Sequence, residues 1–220
     1  MKKNILVFTI MLVCVFSTQA QINIIPKVGI NFAGIGYVPH PQPSNGILLG
    51  MQIGVATEIT INNKFSIQPE LLYTQKGNLF IGDQPYINNQ VIYFSNYTKT
   101  IRLHYLEIPV LAKMKFGKGN FKFYLGAGFS TGMALAARKT TDSDLPTSQG
   151  DIKIGSGRRE LKRFDVGWQA AMGFVYKKFV LDLRYGQGFT NTFNEGSGYS
   201  KSQNKVFGAT LGYIIPFKLK

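Results

Sequence analysis

Residues 105–116 read YLEIPVLAKMKF, a stretch that sets a Glu, two Lys and a Pro among large apolar side chains. Even positions carry Leu106, Ile108, Val110, Ala112, Met114 and Phe116. Odd positions carry Tyr105, Glu107, Pro109, Lys113 and Lys115, with Leu111 the one apolar exception. A helix would scatter these two sets around its circumference. A strand, with its period of two, separates them onto opposite faces. The stretch is therefore a strand with one apolar and one charged face, and the fold depends on which face meets water.

The same alternation recurs along the chain. Eight segments carry it, at about 26–35, 47–60, 64–76, 101–116, 120–134, 161–175, 178–190 and 203–217. In 47–60, Leu49, Met51, Ile53, Val55 and Ile59 oppose Gly50, Gln52, Gly54 and Glu58. In 120–134, Phe121, Phe123, Leu125, Phe129 and Met133 oppose Lys122, Tyr124, Gly126, Gly128, Ser130 and Gly132. Segment 161–175 sets Phe164, Val166, Trp168 and Met172 against Arg163, Asp165, Gly167 and Gln169. The polar face is crowded with small residues, as the narrow interior of a small barrel requires. The bulky face of Phe, Leu and Ile suits lipid. A soluble barrel would reverse the two, with an apolar interior and a polar exterior.

Connection lengths alternate as well. INNK (61–64), GKGN (117–120) and YKK (176–178) are tight, while 36–46, 77–100, 135–160 and 191–202 are long. The expected fold is all-β: an eight-stranded antiparallel up-and-down transmembrane β-barrel, with short periplasmic turns and long extracellular loops. Aromatic positions divide into two belts, as interfacial anchoring requires. Phe65, Phe116, Phe121, Phe174, Tyr176, Phe179 and Phe217 fall beside the short turns. Phe32, Tyr37, Tyr73, Phe164, Tyr185, Phe189 and Phe207 fall toward the long loops. Pro69 and Pro109 cannot donate to a ladder, so each is expected to mark a bulge or a lost bond.

The first twenty residues, MKKNILVFTIMLVCVFSTQA, have a basic start, an apolar run too short to span a bilayer and a small-residue exit. They read as a signal peptide cleaved after Ala20, leaving one barrel domain over 21–220. Val13 before Cys14 argues against a lipid anchor. Cleavage would remove the only Cys and, with Lys2 and Lys3, take the net charge from +14 to +12. A basic exported chain without a nucleic-acid motif points to membrane phosphates rather than nucleic acid. The expected location is the outer membrane of a Gram-negative bacterium.

QPELLYTQKG (68–77) and YLEIPVLAKMKF (105–116) resemble signature strands of the PorT-like family of bacterial outer-membrane β-barrel proteins. That resemblance implies a link to secretion machinery for some members. TLGYIIPF, Thr210–Phe217, resembles the C-terminal signal read by the outer-membrane assembly machinery, although KLK follows its terminal aromatic.

Inward parity assigns Glu58, Glu70, Glu107, Lys113, Lys115, Lys122, Arg163, Asp165, Asp182 and Arg184 to a paired charge network filling the lumen, because bare buried charge is costly. Arg102, Arg138, Lys139, Arg158, Arg159, Lys162, Lys201 and Lys205 are candidate contacts for lipopolysaccharide phosphates, or else a solvated rim. Gly126, Gly128 and Gly132 lack the spacing of a nucleotide loop. DSD (142–144) is too short for a calcium loop. No Ser of matching strand parity with a third orienting group accompanies His104, and His40 falls in the first long loop, so no catalytic, metal or cofactor site is assigned. The expected function is non-enzymatic: a surface-binding or secretion-accessory protein acting through its long loops. A small diffusion channel and a lipid-modifying enzyme are the alternatives.

Overall fold

In the computed structural model, residues 21–38, 45–88, 91–143, 147–194 and 201–217 are described, so the leader and His40 lie outside the described residues. Eight long strands follow one another round a ring: β1 (Gln21–Val38), β2 (Leu48–Thr60), β3 (Phe65–Asn88), β4 (Val91–Phe116), β5 (Phe121–Ser143), β6 (Phe164–Tyr176), β7 (Phe179–Gly188) and β8 (Lys201–Tyr213, resuming at Ile215–Phe217). Each pairs antiparallel with its chain neighbours. The ring closes where β1 meets β8, from Lys27↔Gly212 to Val38↔Lys201, with Ile22↔Phe217 beyond. Closure leaves no unpaired edge, which hydrocarbon would not tolerate. No described helix is long and apolar enough to cross a membrane; the strands do the crossing.

The exposed face is the apolar one. Leu49 is 58% exposed, Phe129 68% and Leu211 62%, while Gln52, Glu58, Glu70, Lys113 and Asp182 are buried. Polar groups inside and a continuous apolar skin outside suit a chain whose outer solvent is lipid. Neighbouring aromatics pack along the short-turn belt, with Phe123 lying 5.9 Å from Phe116 and 5.4 Å from Phe174. At the other end Phe32 meets Phe207 and Trp168 meets Tyr185. Tyr37 carries no described side chain.

Three expectations are corrected. The stretch 77–100 is largely a strand extension rather than a loop, pairing without a break from Gly77↔Arg102 to Asn88↔Val91. Tyr, Ile, Phe and Thr recur there, and strand propensity sustains the pairing past Gly77. Gly77 marks the departure point: its φ is +140°, and a Cβ would fall 1.9 Å from the Ile101 carbonyl oxygen. Residues 135–143 likewise continue β5. Lastly, β6 begins at Phe164, so Leu161 and Arg163 lie outside it.

Both prolines lose ladder bonds without a bulge. The β3–β4 pairing passes from Pro69↔Val110 to Leu72↔Glu107 in one register, unpaired between. The β2–β3 pairing has the same gap opposite Pro69, between Ala56↔Glu70 and Ile59↔Ile67. The register shift falls elsewhere, where His104↔Ala136 gives way to Tyr105↔Ala134 and Leu135 is the extra residue.

Above the membrane-crossing segments the barrel is roofed. Ile35, Phe80, Ile101, Leu103, Tyr105, Ala134 and Ala137 from the walls cluster with Leu161 and Phe193 from the connections, and Ile152 and Ile154 pack against them. Leu161 is fully buried and bridges to both Ile154 and Phe193. Leu161→Ala should cost about 2–3 kcal/mol, the low end for a leucine truncation, because a rim can partly collapse onto the gap. Faster proteolysis of 147–163 with the folded barrel retained on gels is the expected result.

Candidate functional site

The lumen is filled by ion pairs arranged along the barrel axis. Nearest the short turns, the two carboxylate oxygens of Glu58 each receive a lysine: Lys113 at 3.0 Å and Lys115 at 3.0 Å. Lys113 also donates to Gln68 at 2.8 Å and lies 3.6 Å from the centroid of the Tyr124 ring.

The next layer is centred on Glu70. Arg184 grips its two oxygens at 2.9 and 3.0 Å, the fork-to-fork geometry that makes such pairs strong. Lys27 approaches Glu70 at 3.4 Å and Asp182 at 3.6 Å, and Arg184 reaches Asp182 at 3.2 Å. The Tyr124 hydroxyl donates to Asp182, and Gln68 donates to Glu70. A third layer holds Lys76 between Glu107 at 3.3 Å and Asp165 at 3.6 Å. Gln169 joins the second and third layers, accepting from Arg184 at 3.1 Å and donating to Glu107 at 2.9 Å. Asn204 and Thr190 donate to Asp165.

Among the described residues these layers contain five cations (Lys27, Lys76, Lys113, Lys115, Arg184) and five carboxylates (Glu58, Glu70, Glu107, Asp165, Asp182). Balanced charge with several partners per group is what makes ionised side chains tolerable away from water. A space of about 30 Å³ remains between the second and third layers, lined by Asn31, Thr74, Glu107, Gln169 and Arg184 among others. A single water needs roughly half of that volume, so this part of the lumen has no room for a solute.

Eight of the ten charges assigned from parity meet in this network. Lys122 and Arg163 do not. Both are exposed, Lys122 in the open short-turn mouth and Arg163 before the start of β6. Parity reports the face of a strand, whereas depth along the axis decides whether an inward residue is dry. Lys27 and Lys76 take their places. Lys27 shares its face with Gly29 and Asn31, and Lys76 shares its face with Glu70 and Thr74, so the signal for both was present in the alternation.

The long-loop rim is basic but not one patch. Arg102 and Arg138 are cross-strand neighbours on β4 and β5, with Arg138 3.5 Å from an exposed Asp151. Lys139 pairs with Ile101 on the same two strands. Nearby, Lys99 stands 5.5 Å from the Phe80 ring. Burial, then the Lys139 charge, pulls the Lys99 ammonium below its ordinary range. Lys201 and Lys205 belong to β8, four places from β4 in the ring, and Arg158, Arg159 and Lys162 to the connection before β6. His104 hydrogen-bonds the Tyr73 hydroxyl. Within 210–217, Thr210 points inward while Tyr213, Ile215 and Phe217 are exposed on the lipid face.

A family model described as "Outer membrane protein beta-barrel domain" matches residues 17–194. Among solved structures the chain is similar to Ail, the attachment invasion locus protein of Yersinia pestis, solved in complex with the heparin analogue sucrose octasulfate. The identity is 11% over 90% of this chain and 100% of that one, with a TM-score of 0.44. It is also similar to Neisserial surface protein A (16% identity, 86% and 96% covered, TM-score 0.45). OprG from Pseudomonas aeruginosa is a third such structure (14% identity, 93% and 99% covered, TM-score 0.46). No curated protein matches the chain.

Proposed function

We propose, from the premise that this chain belongs to the outer membrane protein beta-barrel domain family, that it acts without catalysis, as a closed barrel whose external rim binds a partner. Outer-membrane location follows from the family and the lipid-suited skin. The binding role is the reading that the filled lumen favours, because a transport function needs a path. Here the path is crossed by the Glu70–Arg184 and Lys76–Glu107 layers and then by the apolar roof around Leu161. An eight-stranded interior is only wide enough for its own side chains.

The hairpin 77–100, which continues the β3–β4 pairing past Gly77, would offer its surface to a protein partner. The resemblance of 68–77 and 105–116 to PorT-like strands supports a partner in protein secretion. Arg102, Arg138 and Lys139, gathered on one side of the rim, suit the phosphates of lipopolysaccharide as a second ligand. Purified protein in a planar bilayer at neutral pH is expected to give no steady conductance. Well-defined single-channel currents would overturn the closed-barrel reading in favour of a diffusion channel. Lipid composition unchanged by expression is expected, and a new acyl pattern would turn the reading to an enzyme.

A further inference from the structure

The end of the barrel opposite the roof is open. A cavity of about 860 Å³ lies there, walled by inward residues at the strand ends and rimmed by the short turns 61–64, 117–120 and 177–178. Its charge is one-sided. Lys64, Lys115, Lys118, Lys122, Lys177 and Lys178 line it above a floor made by Lys113, and Glu58 is its single carboxylate among the described residues. Both oxygens of Glu58 are already taken by Lys113 and Lys115. None of Lys64, Lys118, Lys122, Lys177 and Lys178 makes an ion pair among the described residues.

This contrasts with the layers above it, where every cation has a carboxylate. The Lys177 and Lys178 ammoniums stand 5.5 and 5.9 Å from the ring centroids of the outward-facing Tyr176 and Tyr213, but folding stability does not explain the like charges of Lys64, Lys118 and Lys122, which repel one another. A cleft lined by one sign, with low-dielectric walls, focuses its field and concentrates counter-charge. The volume lies toward the upper end of the roughly 300–1,000 Å³ that ligand sites occupy, far more than one inorganic anion fills. Lipid headgroups stand outside the barrel wall, whereas Lys115 and Lys122 project to its inside. Residues 218–220, KLK, are themselves cationic and do not complement the cavity.

We propose that this short-turn mouth is a docking vestibule for an acidic peptide segment of a periplasmic partner. It is independent of the external rim and would couple the barrel to a protein on the inner side of the membrane. Lys64, Lys118 and Lys122 meet the incoming carboxylates first, and Lys115 and Lys113 limit how deep the segment can go.

The test uses the mature chain refolded in zwitterionic detergent, with fluorescence anisotropy of a labelled oligoglutamate peptide. Binding that weakens as salt rises is expected, with no binding of oligolysine. The combined variant Lys64→Glu, Lys118→Glu, Lys122→Glu alters exposed residues, and heat-modifiable mobility verifies its fold. It should weaken peptide binding by roughly tenfold or more. Arg138→Glu with Lys139→Glu, at the far rim, should leave binding unchanged. Absence of binding at low salt, or equal losses from both sets of reversals, would overturn the proposal. Inorganic phosphate competing as well as unlabelled oligoglutamate would reassign the mouth to free anions and also overturn it. Bilayer conductance is unaffected by any of these outcomes, so the closed-barrel reading stands or falls separately.

Discussion

Glu70→Ala should lower the stability of the refolded barrel by about 3–5 kcal/mol, the cost of leaving buried charge without its partner. Arg184 would lose its forked contact and Lys27 its 3.4 Å neighbour, both inside the wall. Asp182 alone would then face two cations. The damage should be specific to charge imbalance rather than to volume. In Glu70→Met combined with Arg184→Met, Lys27 and Asp182 remain as a balanced pair at 3.6 Å, still supported by the Tyr124 hydroxyl. That double variant should recover most of the loss, as replacement of a whole buried pair often does. Denaturant titration in lipid vesicles, followed by heat-modifiable mobility, measures both. A single variant as stable as the parent would show that the layer does not hold the barrel together.

Val55→Arg should cost about 2–4 kcal/mol, the range for a cation at the bilayer midplane on the lipid face of a barrel. Val55 lies midway along β2, facing outward between Pro26 of β1 and Leu71 of β3. An arginine there cannot reach the lumen, because the strand pleat points it away from Glu58 and Glu70. Gln52→Asn, on the inward face of the same strand, should cost far less, since an amide remains among polar neighbours. Urea titrations in vesicles rank the two directly. The reverse ranking would invert the assignment of faces on β2. The same Val55 variant in a micelle, where the apolar layer is thin and deformable, should be penalised less than in a bilayer.

Much of this molecule was legible in its alternation. The period of two separated Leu106, Ile108 and Val110 from Glu107 and Lys113, and the crowding of Gly beside Glu58 and Asp182 identified the narrow side. Eight of the charges that pair in the lumen lie on the face which that pattern marks as inward. Errors arose where alternation continues past the membrane or stops short of it. The hairpin 77–100 kept strand pairing as far as Asn88↔Val91 because its residues favour strands. Leu161 stood at the start of the sixth segment, on the parity of Arg163 and Asp165, yet it lies before the strand and folds over the lumen to meet Phe193. An apolar residue at a strand end can continue the strand or turn inward to a roof, and periodicity does not distinguish them.

The sequence by itself determined the two faces of every strand, the closed antiparallel order and the identity of the outer solvent, because those depend on neighbours one or two residues apart. Only the tertiary structure decided who pairs with whom inside. Arg184 and Glu70 are 114 residues apart, and Lys113 and Glu58 are 55 apart. Their meeting depends on how far each strand is staggered against the next round the ring. Stagger accumulates from strand to strand, so a contact across the lumen is set by the closure of the whole barrel and by no local segment of it.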